Sequence, residues 1–310
     1  MSKKFLIAVD DSIHSKNAIK YACNISASLK ETNFTLFHVQ PMISQYLVDE
    51  AKNDLAAEAE LKRIINKNTE AGESLLQKYK DEMIRLGVAE QDIDIITLPR
   101  SLGLAKDILK YSSSDIYDAI IIGRRGLSGL QEAIMGSVSA NVVEHSKSTP
   151  VWLIGGEVVS QKVMFAVDGS ENSLKALDHL AFMMGDNPDA RILFFHVQPK
   201  LSDYCPIDFE MTDTDQLEDM IVKGDKKCID QFFAHAHKKL KNAGFDENQI
   251  EVKVSDTLLN PGKAIIEEAK NGDYGTIVIG RRGINKSFFT GSVSRYVINQ
   301  MSDNALWIVP

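Results

Sequence analysis

Short apolar runs alternate with amphipathic segments along the first half of the chain. The run FLIAV at residues 5–9 predicts a buried strand, and apolar residues in the next segment recur at helical spacing. The members of that helical stripe are Ala18, Ile19, Ala22, Ile25 and Leu29. Further strands are predicted at FTLFHV, IDIITL, DAIIIG and PVWLI, with helical segments between them. This alternation indicates βαβ units and therefore a parallel sheet.

The second half of the chain repeats the pattern of the first. AVDDS at residues 8–12 returns as AVDGS at residues 166–170, which places Asp168 158 residues after Asp10. The same distance separates His196 from His38. A period of this length indicates a duplicated domain, because solenoid repeats are much shorter. We therefore predict an α/β fold with two tandem doubly wound domains, residues 1–156 and 157–310. Each domain is expected to hold a five-stranded, mainly parallel sheet flanked by helices.

Composition narrows the class of protein. The chain has 310 residues, a hydrophobic fraction of 44% and a formal net charge of −8. This acidic balance disfavours a nucleic-acid partner, which selects an excess of Lys and Arg. The five-residue run FLIAV is too short for a signal peptide, and no apolar run approaches the length of a membrane span. A cytoplasmic protein without a membrane partner is expected, and the three scattered cysteines agree with a reducing compartment.

Both halves place a glycine loop directly after the fourth apolar run. In the first half Gly123 ends the run, Gly126 follows, and Gly136 with Ser137 opens the next helix. Amide groups at a helix start, together with the positive end of its dipole, form a site for phosphate. Ligands of open α/β sheets bind beyond the carboxyl ends of the strands, which is where Gly123 lies. The pattern favours a polyphosphate site, and the alternative is a turn and helix cap with no ligand.

The spacing of these glycines resembles a known signature. It matches neither the Walker P-loop nor the Rossmann fingerprint, but it reads G-x2-G-x9-G-S. That spacing resembles the ATP-binding signature of the universal stress proteins. AVDDS and AVDGS are similar to that family's first-strand motif, and HV at His38 and Val39 is similar to its second-strand motif. The resemblance covers essentially the whole chain as two tandem domains.

The resemblance implies two sets of nucleotide-binding residues. In the first half they are Ala8, Asp10, Val39, Gly123, Arg124, Gly126, Gly136, Ser137 and Val138. In the second half they are Asp168, Val197, Gly280, Gly283, Gly291 and Ser292. By the resemblance, Asp10 lies near the adenine and ribose, Val39 meets adenine through its backbone, and the glycines with Ser137 hold the phosphates. Guanidinium groups in the loop are suited to neutralising phosphate charge.

The second half departs from the family spacing. Seven residues, rather than nine, separate Gly283 from Gly291, and two adjacent phenylalanines lie among them. A shorter loop has to reach the helix start by another path. We therefore predict that the first half binds nucleotide more tightly than the second half does.

Four polar residues at predicted strand ends have two interpretations each. Asp10 and Asp168 either contact the ligand or belong to helix N-caps with the serines two residues later, and the two roles are compatible. His38 and His196 are more simply packed, hydrogen-bonded residues than general bases, because the sequence fixes no second titratable group beside either one. No catalytic residue and no metal ligand is assigned.

The predicted function is binding of ATP or a related adenine nucleotide by a cytoplasmic stress-response protein. Magnesium would arrive with the phosphates rather than in a cage built by the protein. The alternatives are a slow ATPase or self-phosphorylating enzyme, and a nucleotide-free scaffold. In the family that the chain resembles, the last strand pairs domains. Trp152 and Trp307 lie on these strands, so pairing of the two domains within one chain is expected, with a homodimer as an alternative.

Overall fold

The computed structural model describes residues 2–29, 31–125, 135–185, 187–198, 214–256, 260–281 and 292–310. At residues 214–218 and 292 it describes the backbone only. The chain divides into two compact units, Met1–Val158 and Val159–Pro310.

The first unit contains five strands and five α-helices among its described residues. The strands are β1 (Lys3–Ala8), β2 (Thr32–Val39), β3 (Ile93–Leu98), β4 (Ala119–Gly123) and β5 (Val151–Ile154). The helices are α1 (Ile13–Ser26), α2 (Gln45–Glu50), α3 (Leu55–Arg85), α4 (Leu104–Ser114) and α5 (Ser137–His145). The long charged segment between β2 and β3 forms the short α2 and the 31-residue α3.

The second unit repeats this order. Its strands are β6 (Val163–Val167), β7 (Ile192–Val197), β8 (Ile250–Ser255), β9 (Thr276–Gly280) and β10 (Ala305–Val309). Its described helices are α6 (Glu171–Met184), α7 (Thr214–Asn242), α8 (Pro261–Asn271) and α9 (Ser292–Gln300).

The strands of each unit form a doubly wound parallel sheet. Their order is β3-β2-β1-β4-β5 in the first unit and β8-β7-β6-β9-β10 in the second, and the pairs between them are parallel. The chain passes from β1 through β2 to β3 and then crosses to β4 and β5 on the other side of β1. Because crossovers between parallel strands are right-handed as a rule, this reversal places helices on both faces of the sheet. Helix α1 packs against α3, and α4 packs against α5. The predicted fold class is confirmed.

Local sequence signals explain where the elements begin and end. The central strands are continuous apolar runs because both faces are covered, and Phe5, Leu6 and Ile7 are fully buried. Helix α3 starts at Asp54, whose carboxylate accepts the amide hydrogen of Ala56 at 2.9 Å. It ends before Gly87, whose φ of +99° is the left-handed conformation that stops many helices.

Candidate functional site

The carboxyl ends of three neighbouring strands meet at one edge of the first sheet. Strand β1 lies between β2 and β4, and Ala8 at its end is in register with Phe37 on β2 and Ile122 on β4. The chain passes from β1 to β2 on one side and returns to β4 on the other, which makes this edge a topological switch point. The fold therefore brings Asp10, Val39 and Gly123 to the same crevice.

The second unit gathers the corresponding residues in the same way. Strand β6 lies between β7 and β9, and Ala166 is in register with Phe195 and Ile279. Asp168 follows β6, while Val197 and Gly280 are the last residues of β7 and β9.

The carboxylate of Asp10 organises the start of helix α1. Its Oδ1 accepts hydrogen bonds from the Ser12 hydroxyl at 2.5 Å, the Ser15 hydroxyl at 2.7 Å and the Ser12 amide at 3.2 Å. Ser12 is the N-cap itself, because its hydroxyl accepts the Ser15 amide hydrogen at 3.2 Å. The capping interpretation therefore holds for the serine, and the aspartate fixes the loop between strand and helix. Tyr79 on α3 adds a hydrogen bond from its hydroxyl to the Asp10 carbonyl at 2.9 Å.

The same hydrogen bonds recur in the second unit. Oδ1 of Asp168 accepts from the Ser173 hydroxyl at 2.7 Å and the Ser170 amide at 3.0 Å, and Ser170 caps helix α6. The loop differs at Gly169, whose φ is +71°. The thiol of Cys228 lies beside this glycine, with Sγ 3.9 Å from its carbonyl oxygen.

Helix α5 begins directly beside the end of β4. The Gly136 amide donates to the Arg124 carbonyl at 2.9 Å, and the buried Ser139 hydroxyl donates to the Gly123 carbonyl at 2.7 Å. These two donors tie the helix to the strand, so both already have an acceptor within the protein. The amides of Ser137 and Val138 in the first helical turn have no acceptor within the helix.

Gly123 is required by packing between the strand and helix α1. A Cβ at this position would lie 2.8 Å from both the carbonyl oxygen and the Cβ of His14. Gly280 has the same relationship to Asn172, whose carbonyl oxygen would lie 2.6 Å away. The close approach of a helix therefore requires glycine at both positions, and neither residue has a positive φ.

Two adjacent arginines follow the β4 strand. Arg124 is buried with 5% of its surface exposed, and Arg125 is half-buried. Desolvation, followed by repulsion from Arg125, lowers the pKa of the Arg124 guanidinium. Arg281 occupies the corresponding buried position in the second unit, where its amide donates to the Val309 carbonyl at 2.7 Å. The site therefore concentrates positive charge where water is partly excluded, which favours an anionic ligand.

The strand-end histidines are structural, as the sequence indicates. Nδ1 of His38 lies 3.0 Å from the Val9 carbonyl oxygen, and Nδ1 of His196 lies 2.9 Å from the Val167 carbonyl oxygen. Each ring therefore donates to the backbone just before the aspartate of its unit. His196 also has a titratable neighbour that the sequence did not reveal, since its Nε2 lies 2.8 Å from Oδ2 of Asp225.

Other features of the site were missed from the sequence. The sequence motifs include neither His14 nor Tyr79. His14 directly precedes Ser15, whose hydroxyl bonds Asp10, and Tyr79 belongs to the apolar stripe of α3. Matching the two halves would have pointed to His14, because it corresponds to Asn172 at the 158-residue offset. No comparable signal in the sequence points to Asp225, because the long helices α3 and α7 share no motif.

Several predicted phosphate-binding residues lie outside the described residues. These are Gly126, Gly283 and Gly291, and for Ser292 the description is limited to its backbone at the start of α9. Within the described ranges, no group of three or more His, Cys, Asp or Glu side chains is placed to hold a metal ion. In that same part of the chain, no helix combines the length and apolarity needed to cross a membrane.

Comparison with known proteins agrees with the duplication. The model of the universal stress protein family matches the chain twice, at residues 1–155 and 160–308. Universal stress protein MJ0577 of Methanocaldococcus jannaschii is 27% identical over 161 residues, which span 50% of this chain and 95% of that protein. Universal stress protein YxiE of Bacillus subtilis is 25% identical over 167 residues, which span 50% of this chain and 99% of that protein.

A solved structure shows the same fold over the full length. A universal stress protein from Archaeoglobus fulgidus aligns with 100% of this chain and 98% of its own, with a TM-score of 0.68 and 20% identity. With both halves matched by the family model, the chain belongs to the universal stress protein family as a tandem two-domain member.

Proposed function

We propose that this protein binds ATP or a related adenine nucleotide at the carboxyl edge of the first unit's sheet. The observation that carries the proposal is the hydrogen bond from the Gly136 amide to the Arg124 carbonyl. It joins the amino end of α5 to the backbone of a buried arginine, so helix amides and a cationic residue meet at the same strand end. Such a pairing is suited to a polyphosphate.

The remainder of the crevice fits the other parts of a nucleotide. Val39 and Ala8 are buried apolar residues at the ends of adjacent strands, and Asp10 lies two residues beyond Ala8. The Asp10 carboxylate already accepts three hydrogen bonds through Oδ1, and they hold it at the mouth of the crevice. Residues of this kind fit an adenine and its ribose, as the family signature implies.

Charge supports the phosphate assignment. The chain carries a net charge of −8, yet this edge places Arg124 and Arg125 side by side. Burial and mutual repulsion disfavour the Arg124 charge, and both penalties fall when an anion enters. Magnesium would enter with the phosphates, because the amide and guanidinium donors supply no metal ligands.

The two units are proposed to differ in affinity. The second unit keeps the aspartate, the buried arginine and the strand-end glycine, but its glycine spacing is shorter by two residues. The first unit has the longer spacing of the family signature. We therefore assign the tighter site to the first unit.

Calorimetry on the full chain tests the proposal. Arg125→Gln removes one half-buried charge, and we expect ATP to bind at least tenfold more weakly, which is about 1.4 kcal/mol. The matched control is Arg85→Gln, at the exposed carboxyl end of α3, where the same charge is lost and affinity should stay unchanged. ATP should also bind the wild-type chain more tightly than AMP does, because the phosphates carry the binding.

Mass spectrometry of protein purified without added nucleotide gives an independent readout. Release of ATP on denaturation supports the proposal. No ATP binding by the folded wild-type chain, in either measurement, would contradict the proposal and favour a scaffold. Equal losses of affinity in Arg125→Gln and Arg85→Gln would show that net charge, and not this site, attracts the nucleotide.

A further inference from the structure

The side chain of His14 lies at the junction of helix α1 and the candidate phosphate site. It is the second residue of α1, and its backbone packs against Gly123 at the end of β4. Its Nδ1 is buried, and no described residue gives that nitrogen a hydrogen-bond partner. A buried nitrogen without a hydrogen bond destabilises the folded protein unless a further group supplies that bond.

The charged groups that act on this ring come from both neighbouring elements. Arg125 and Arg124, after β4, oppose a positive charge on the ring, and Asp10, after β1, favours one. Desolvation is the largest influence, and together with the arginines it lowers the pKa of His14 below 6.5. The ring is therefore neutral near pH 7 in the nucleotide-free protein.

We propose that His14 belongs to the anion site of the first unit, and that it takes up a proton from solvent when nucleotide binds. This inference rests on the proposed function. A bound polyphosphate offsets the repulsion from the two arginines and supplies an acceptor for the buried Nδ1. The protonated ring then has donors at both nitrogens, and the anionic tail gains a third cation beside Arg124 and Arg125.

The sign of the resulting pH dependence follows from linkage. Binding raises the pKa of His14, so the bound state holds more protons than the free state near neutrality. The contribution of His14 to affinity is then complete below the pKa of the free protein, and it is lost as the pH rises through the pKa of the complex. One proton sets an upper limit of about tenfold in affinity per pH unit.

The second unit provides the comparison within the same chain. Asn172 corresponds to His14 at the 158-residue offset, and its backbone packs against Gly280 as that of His14 packs against Gly123. An amide does not titrate, so the second site lacks this response. Because the same backbone contact is made around asparagine there, His14→Asn is compatible with the fold.

Calorimetry of ATP binding to the full chain at pH 6 and pH 8 tests the inference, in two buffers of different ionisation enthalpy. The nucleotide also titrates, so the quantity to compare is the difference between wild type and His14→Asn. The factor by which affinity falls between pH 6 and pH 8 should be at least threefold larger for the wild type than for the variant. It should also take up measurably more protons on binding.

His145→Asn is the matched control, because this exposed histidine lies at the far end of α5. It should retain the wild-type pH profile. Identical pH profiles and proton uptake in wild type and His14→Asn would overturn the inference while leaving the proposed ATP site intact. If the folded wild type binds no ATP at either pH, the proposed function fails and the inference fails with it.

Discussion

Nε2 of His196 lies 2.8 Å from Oδ2 of Asp225, and both side chains are largely buried. The Val167 carbonyl accepts only, so Nδ1 of this ring must carry a hydrogen. Nε2 and the carboxylate are within hydrogen-bonding distance, so Asp225 is the second partner of this buried ring. His38, the corresponding residue of the first unit, instead lies against Gly72, where a Cβ would come within 3.2 Å of its Cδ2 atom.

This pair should contribute to the stability of the second unit. Replacing Asp225 by Ala leaves Nε2 of the buried His196 without its hydrogen-bond partner. We therefore expect a loss of about 2 kcal/mol in the free energy of unfolding. The matched control is Asp219→Ala on the same helix, since the Asp219–Lys223 ion pair is highly exposed. That change should stay within about 0.5 kcal/mol. Equal effects in urea denaturation would show that the buried pair contributes no more than a surface pair does.

Much of the fold could be predicted from the sequence because period and length separate its elements. The run AIIIG, residues 119–123, is too short and apolar for a surface helix, and it forms a strand buried on both faces. Because the domain is duplicated, the same pattern of strands and helices occurs in both halves, and it predicts a parallel sheet in each. The break between α2 and α3 was missed, since Asn53 and Asp54 interrupt a segment whose composition is helical throughout.

The site was harder to predict than the fold. The motif located the strand ends, but it did not indicate which hydrogen-bonding groups are already used by the protein. The Gly136 amide and the Ser139 hydroxyl bond to Arg124 and Gly123, contacts between residues distant in sequence. The packing role of Gly123 could not be predicted from the sequence either, because the atom that excludes a Cβ there is a carbonyl oxygen on α1. Such contacts depend on tertiary packing, which periodicity does not specify.

Tyr79 should stabilise the loop that carries Asp10. Its buried hydroxyl donates to the Asp10 carbonyl at 2.9 Å, and desolvation raises the pKa of this phenol well above its usual value. Tyr79→Phe removes one hydrogen bond and leaves the ring in place, so we expect a loss of about 1 kcal/mol in urea denaturation. Tyr46→Phe is the control, since Tyr46 is 74% exposed and should show no loss. A stability for Tyr79→Phe equal to that of wild type would mean that water replaces the hydroxyl without cost.

Two glycines should respond to alanine with opposite signs. Gly123→Ala places a methyl group 2.8 Å from the His14 carbonyl oxygen, a backbone atom, so α1 has to shift. We expect a loss of about 1–3 kcal/mol, typical of overpacking. Gly224→Ala on α7 meets nothing within 4 Å and should stabilise the helix by about 0.5–1 kcal/mol. Thermal melts that move in the same direction for both variants would contradict the packing role of Gly123.

His179 should make the second unit sensitive to acid. The ring lies 5.7 Å from that of Trp307 in an edge-to-face contact, and burial lowers its pKa to about 3. In the unfolded chain the pKa returns to 6.5, so between pH 6.5 and 3 the unfolded state binds a proton that the folded state excludes. Stability is therefore present in full above pH 6.5 and falls as the pH falls, by about 2 kcal/mol at pH 5.

The first unit supplies the substitution that tests this acid response. Tyr21 corresponds to His179 at the 158-residue offset and makes an edge contact of 6.2 Å with Trp152. A tyrosine stays neutral across this range, so His179→Tyr should lose less stability than wild type between pH 7 and pH 5, measured by urea denaturation at each pH. His237→Tyr is the control, because His237 is exposed on α7 and should keep the wild-type dependence. If His179→Tyr and wild type lose the same stability on acidification, the carboxylates and not this buried ring govern the acid response.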